Sequence, residues 1–259
     1  MIDVRLEVTD SVAWMTLDHP PVNAIRQQTI DDMVEALASI HGRRDVRVAV
    51  LAAAGEKTFS AGADLKELYG SGDGERRLST MMDPGSDIRR LCDALEACPV
   101  PLIGAVRGVA MGGGVAFLAF CDIIVAADDS SFSFPEINVG MLGGIAFLEQ
   151  LVGRSRARYL YFTGGSISAQ ELLQAGAIAE VVPPQKVHDR ARQLAAELAA
   201  KSPVAIRLAK EVMTRIAGHD MLDRYRTEQD YTNRLATFED AEEAKQAFFE
   251  RRAPVWRFR

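Results

Sequence analysis

Three short stretches of this chain place residues where chemistry could be done. In SFSFPEINVG, Glu136 stands among Phe132, Phe134, Pro135, Ile137 and Val139. Burial in such surroundings penalises the charged carboxylate, raises its pKa and suits it to giving and taking protons near neutral pH. A loop carboxylate turned to solvent is the other reading of the same letters. In FSAGADLKEL (59–68) an apolar strand ends, the small residues Ala61, Gly62 and Ala63 follow, and a helix begins with Asp64 able to support its N-terminus. Bare backbone at a helix start leaves amide N–H groups open to an acceptor. RGVAMGGGVAF repeats the arrangement, with Gly112, Gly113 and Gly114 between a buried strand and an apolar helix. Either corner alone also fits simple tight packing. Together, two N–H donors converging about 3 Å from one oxygen would stabilise an oxyanion or enolate, by roughly 3 to 4 kcal/mol per donor.

Other chemistries lack their letters. A phosphate-cradling loop needs GxxxxGK followed by Ser or Thr, and the triple glycine runs instead into Val115 and Ala116. A dinucleotide-binding turn needs GxGxxG, but after Gly112 and Gly114 the third place holds Phe117. His19, His41, His188 and His219 are scattered, far from a two-ligand spacing such as HExxH, so no metal site is expected. There is no GxSxG elbow for a serine hydrolase.

A run of strands and helices must hold these stretches in place. Val4, Leu6 and Val8 alternate with polar neighbours and VAWMTLD (12–18) follows Thr9-Asp10-Ser11, which predicts two strands joined by a turn. HPPVNAI then forms a loop. From Gln27 onward Ile30, Met33, Val34, Leu37 and Ile40 fall at helical spacing, and VRVAVLA (46–52) is a continuous apolar strand. A helix over about 87–97, then VPLIGAVRG, a small-residue segment through Ala119 and the strand DIIVAAD repeat the progression. Successive buried strands separated by helices indicate parallel pairing and right-handed crossovers, so the fold class is α/β.

After Pro183-Pro184 the chain is almost wholly helical to Phe249, which divides a core, 1–183, from a helical C-terminal region, 184–259. There Val204, Leu208, Val212 and Ile216, with Ala205, Ala209 and Met213 beside them, form an apolar stripe, while Arg207, Lys210, Glu211 and Arg215 are expected to face away. The stripe fits packing on its own domain or against another subunit. GSGDGERRLSTMMDPGS (70–86) reads as a loop, with Met81 and Met82 either tucked into the surface or lining an adaptable apolar pocket.

The 259 residues are 48% hydrophobic, ample for one large core. A formal net charge of −6 lacks the basic footprint of a nucleic-acid binder. Cys92, Cys98 and Cys121 are an odd number without paired spacing, pointing to thiols in a reducing, cytoplasmic compartment. The N-terminus MIDVRLEVTD lacks an apolar signal region and no apolar run approaches the roughly 18 residues of a membrane span, so neither export nor insertion is expected.

FSAGADLKEL, RGVAMGGGVAF followed by CDIIVAA, and FPEINVG, in this order and spacing, resemble the crotonase superfamily, the enoyl-CoA hydratase/isomerase family. The resemblance runs from VAWMTLDHPPVNAI through FTGGSISAQELLQAGAIAEVV to AFFERRAPVWRF. It implies a spiral of β-β-α units whose helical C-terminal region mediates trimers, often paired into hexamers, and an acyl-CoA thioester substrate with no cofactor beyond the coenzyme A carried on it. The oxyanion-hole amides implied are those of Ala63 and Gly113, holding the thioester carbonyl as it becomes an enolate. The implied adenine contacts fall on the backbone near Ala61 and Leu65. Lys57 and Lys66 would meet the CoA phosphates or remain solvated surface lysines.

Two departures from the family pattern carry information. Hydratases of the family place a glutamate two residues after the triple glycine, where this chain has Ala116, and a second at the position of Glu136. Only Glu136 survives, and shifting a double bond needs just one base that removes a proton at one carbon and returns it at another. The resemblance therefore favours isomerisation with Glu136 as the acid/base. Hydration with another water-activating group, such as Asp83 or Glu67, stands as an alternative, as does a non-catalytic acyl-CoA binder. GMLGGIAFL (140–148) is also shorter than the family's PGxGGT region and lacks its proline, so the acyl pocket is expected to differ in shape.

Overall fold

The computed structural model describes residues 2–69, 83, 85–216 and 220–255. Met81 and Met82 lie outside the described residues. The hairpin β1 (Val4–Thr9) and β2 (Val12–Leu17) forms around Asp10 and Ser11, both with positive φ, 52° and 66°. Two such residues in a two-residue loop give the turn whose twist matches the flanking strands. Helix α1 (Gln27–His41) then carries the chain to β3 (Val48–Ala53), parallel to β2.

Three times a long strand is followed by a short one. β3 leads to β4 (Thr58–Ser60) and helix α2 (Leu65–Tyr69). After α3 (Ser86–Glu96), β5 (Leu102–Val106) leads to β6 (Val109–Met111) and helix α4 (Gly113–Ala119). β7 (Ile123–Ala127) leads to β8 (Ser131–Ser133) and a 3-10 turn, Glu136–Val139. Then come α5 (Ile145–Thr163), β9 (Ser166–Ser168), α6 (Ala169–Gln174) and β10 (Glu180–Val182). Among the described residues the long strands, with the three-residue β10 at the edge, form one sheet in the order β1-β2-β3-β5-β7-β10, parallel from β2 onward, and the other short strands form a second, β4-β6-β8-β9. This is the β-β-α spiral of an α/β protein.

The main sheet is covered on both faces, which explains its unbroken apolar strands. Along β3 alternate side chains go to opposite layers: Ala49, Leu51 and Ala53 join the large core with α1, α3, α4 and α5, while Val48, Val50 and Ala52 join a smaller cluster. Helix α7 (Val187–Ala199) closes that cluster with Val187, Ala191, Ala195 and Ala199. Cys92 and Cys98 are buried and Cys121 half-buried, all three as free thiols.

Helix α8 (Pro203–Ile216) reverses the sequence expectation. Arg207 and Lys210 face the body of their own chain, while Glu211 is exposed as expected. Arg207 Nη2 donates to the carbonyls of Arg43 (2.7 Å) and Val46 (3.0 Å), and the buried Lys210 Nζ donates to both Asp122 oxygens at 2.8 Å. Val204, Leu208, Val212 and Met213 point outward, each at least half exposed. Helical periodicity identifies a stripe but not what lies opposite, and here the polar face finds backbone carbonyls and a carboxylate to satisfy. Helices α9 (Asp220–Leu235) and α10 (Glu239–Glu250) return over the core. Tyr225 of α9 stacks against Phe147 of α5 at 4.8 Å, and Ala241 and Ala244 of α10 are buried.

Candidate active site

The first corner is set by pairing with the loop before α1. Ala61 N–H bonds the Val22 carbonyl (2.9 Å), Ile25 N–H bonds the Gly62 carbonyl (2.8 Å), and Asp64 N–H bonds the Ile25 carbonyl (2.9 Å). Successive amides of extended backbone point to opposite sides, so the bridge between Ile25 and Ala63 turns the Ala63 N–H away from that loop. Gly62 makes this possible with φ at +80°. Asp64 Oδ1 accepts from the amides of Lys66 (2.9 Å) and Glu67 (3.3 Å), capping α2 as its side chain suggested.

The second corner forms where β6 ends. Gly112, at φ 48° and ψ −116°, donates to the Ser133 carbonyl (2.9 Å), and its own carbonyl accepts from Val115 and Ala116. Gly113 is the first residue of α4, where amide groups have no partner within the helix.

The corners are packed against each other. A Cβ on Gly62 would lie 2.9 Å from the Met111 oxygen and 3.5 Å from the Gly113 nitrogen. Ser60, fully buried, donates its hydroxyl to the Asn23 carbonyl (2.8 Å) and accepts from Gly62 N–H (3.2 Å), while a Cβ on Gly114 would come within 2.8 Å of its Cβ. Asn23, itself buried with φ at 50°, donates to the carbonyls of Ala54 and Thr58. Neither Ser60 nor Asn23 is singled out by the sequence, because a buried serine at a strand end or an asparagine in a loop has no spacing to betray it.

Glu136, half-buried as a residue, opens the 3-10 turn that follows β8 and the buried Phe132 and Phe134. Its carboxylate lies over the second corner: a Cβ on Gly112 would fall 2.2 Å from Oε1. Oε2 is shut off from solvent without a hydrogen-bond partner. Burial pushes the pKa of this carboxyl up to about 7, opposed only by a bond from backbone. Of the two readings of Glu136, the structure has the buried one. Ala116, half-buried one turn into α4, brings no polar group to the site.

The remaining candidates lie around the first corner. Leu65 begins α2 half-buried, and Lys57 and Lys66 are exposed. Ala61 spends its N–H on Val22, so any further contact of its backbone runs through the carbonyl. Asp83 and Glu67 are engaged elsewhere: Asp83 pairs with Arg89 and accepts from Gly85 N–H, and Glu67 accepts from Gln27 N–H at the start of α1. Among the described residues no three His, Cys, Asp or Glu side chains gather as a metal site, and no helix is long and apolar enough to cross a membrane.

The profile of the enoyl-CoA hydratase/isomerase family matches residues 7–259. The chain belongs to that family, within the crotonase superfamily. It is 36% identical over 245 residues to a (7aS)-7a-methyl-1,5-dioxo-2,3,5,6,7,7a-hexahydro-1H-indene-carboxyl-CoA hydrolase of Rhodococcus jostii strain RHA1, covering 95% of this chain and 93% of that one. It is 32% identical to the short-chain-enoyl-CoA hydratase of Clostridium acetobutylicum, covering 96% and 95%. Its fold superposes on the crystal structure of a carnitinyl-CoA hydratase from Mycobacterium avium with a TM-score of 0.84 at 28% identity over the whole of both chains. The family assigns the chain to enzymes that act on CoA thioesters.

Proposed function

We propose that this crotonase moves protons on an acyl-CoA with Glu136 as its single acid/base, and that double-bond migration is the net reaction its side chains support best. The observation that carries this reading is the Glu136 carboxyl, buried over Gly112 with Oε2 unpartnered and a pKa of about 7. A group poised there can take a proton and return it at neutral pH. The N–H groups of Ala63 and Gly113 hold the thioester oxygen. Glu136 removes an α-proton from a 3-enoyl thioester, the electron pair shifts into a dienolate whose oxygen rests on those donors, and the same carboxyl protonates the γ-carbon. CoA lies along the first corner, its adenine near the backbone of Ala61 and Leu65 and its phosphates within reach of Lys57 and Lys66. No further cofactor enters this scheme, and the free thiols accord with a cytoplasmic setting.

A second reading, hydrolysis of a cyclic oxo-acyl-CoA, draws on the 36% identity to the hydrolase of R. jostii. The experiment that separates them incubates the protein with a 3-enoyl-CoA, a 2-enoyl-CoA and a cyclic 3-oxoacyl-CoA in deuterated water and follows each by proton NMR. Migration of the double bond with deuterium uptake supports isomerisation. A 3-hydroxyacyl product from the 2-enoyl substrate, or ring opening of the oxo-acyl substrate without any double-bond migration, sinks it.

The outward apolar stripe of α8 supports assembly through the C-terminal region as a homotrimer, alone or paired into a hexamer. Val204, Leu208, Val212 and Met213 are large apolar side chains that this helix leaves in water. Leu208→Glu is expected to shift the mass measured by light scattering toward the 28.3 kDa of one chain. A 28.3 kDa wild-type particle removes the assembly from this proposal.

A further inference from the structure

The segment joining the Glu136 turn to α5, residues 140–144, takes a hydroxyl of α5 at its Gly143 end. Tyr161, buried near the end of α5, accepts from the Gly143 N–H at 2.7 Å and stands 3.3 Å from the Gly143 carbonyl, to which it donates. Gly143 sits at φ +136°, and no atom lies within 4 Å of where its Cβ would be, so packing of a side chain does not hold it. The same segment closes onto the catalytic turn, with Met141 N–H bonded to the Glu136 carbonyl (3.0 Å). Gly144 lies so near Phe134 that a Cβ there would fall 2.2 Å from the ring. Thr232 of α9 holds the Leu142 carbonyl from the other side (2.5 Å).

We infer that Tyr161 is a positioning residue: its hydroxyl pins the proline-free segment 140–144 and, through Met141 and Phe134, fixes the Glu136 carboxyl over Gly112. The inference rests on Glu136 being the acid/base, but it holds for whichever net reaction the site performs. Its physical content is exclusion of water. With the segment released, water reaches Oε2, and the burial that holds the proton weakens. What raises this carboxyl is its burial, with a bond from backbone working the other way.

Tyr161→Phe keeps the ring and removes only the oxygen. In the substrate-free protein, carboxyl-carbon NMR, with Glu136→Gln identifying the signal, is expected to show the Glu136 midpoint falling by about one unit, tenfold in proton affinity. Exchange of the Gly143 amide should quicken by about tenfold or more. With an acyl-CoA that undergoes α-proton exchange, kcat is expected to fall by about tenfold with KM within about twofold, and Tyr161→Phe should change nothing further in the Glu136→Gln background. An unmoved Glu136 midpoint overturns the inference, whether or not Gly143 exchanges faster. The titration needs no substrate, so failure of the isomerase reading appears separately, as absent turnover with the midpoint shift intact.

Discussion

Glu136→Gln is expected to lower α-proton exchange by about 10³-fold or more, near the upper part of the range for a general acid/base, while acyl-CoA binding persists. The amide keeps the shape of the side chain but can neither accept nor return the proton. In the wild-type enzyme, proton abstraction should rise with pH through a midpoint of about 7, where burial has placed this carboxyl, and level off above it. The same burial makes an opposite prediction for stability. The folded state holds the Glu136 proton more tightly than the unfolded chain, whose carboxyl titrates near 4.5, so stability is lost as pH rises from about 4.5 through about 7. The full span corresponds to about 3 kcal/mol. Glu136→Gln should therefore be the more stable protein at pH 8 in urea, by up to that amount, with the gap closing toward pH 4.5. A rate profile flat between pH 5 and pH 9, together with unchanged stability, would falsify the assignment of this pKa to the working group.

Gly112→Ala is expected to be nearly as damaging to turnover, by about 10²-fold or more, although it removes no functional atom. The added methyl group would occupy the place of Glu136 Oε1, 2.2 Å away, and the backbone there has φ of 48° and ψ of −116°, which an L side chain adopts only with strain. The strain costs on the order of 1 to 3 kcal/mol. Relief comes by pushing the carboxyl off the corner, so the pH-rate midpoint should drop toward the ordinary carboxylate range as activity falls. Should the alanine variant retain activity within a few-fold of wild type, the carboxyl does not work from above Gly112.

The candidate site was legible in the sequence because both corners and the buried carboxyl are local features. FSAGAD and MGGGV announce bare backbone at helix starts, and the phenylalanines around Glu136 announce a low-dielectric pocket. The long strands were legible for a similar reason, since β3 and β5 are continuous apolar runs buried on both faces. What stayed hidden depends on partners far along the chain. The second sheet is built from three-residue strands, too short to show a period. Tyr161 looks like one more aromatic on a helix until Gly143, 18 residues earlier, meets its hydroxyl. The direction of α8 is hidden from the sequence because charge normally marks the solvated side, whereas Lys210 has Asp122, 88 positions away, to pair with.

Ser60 ties the two backbone corners into one mechanical unit. Its hydroxyl belongs to the hydrogen-bond path through Asn23 and Gly62, and its Cβ stands against Gly114, so one corner cannot drift without straining the other. The spacing of the two corners is thus inherited from the pairing of β4 with β6. Loosening that pair of strands would displace both corners in a single step.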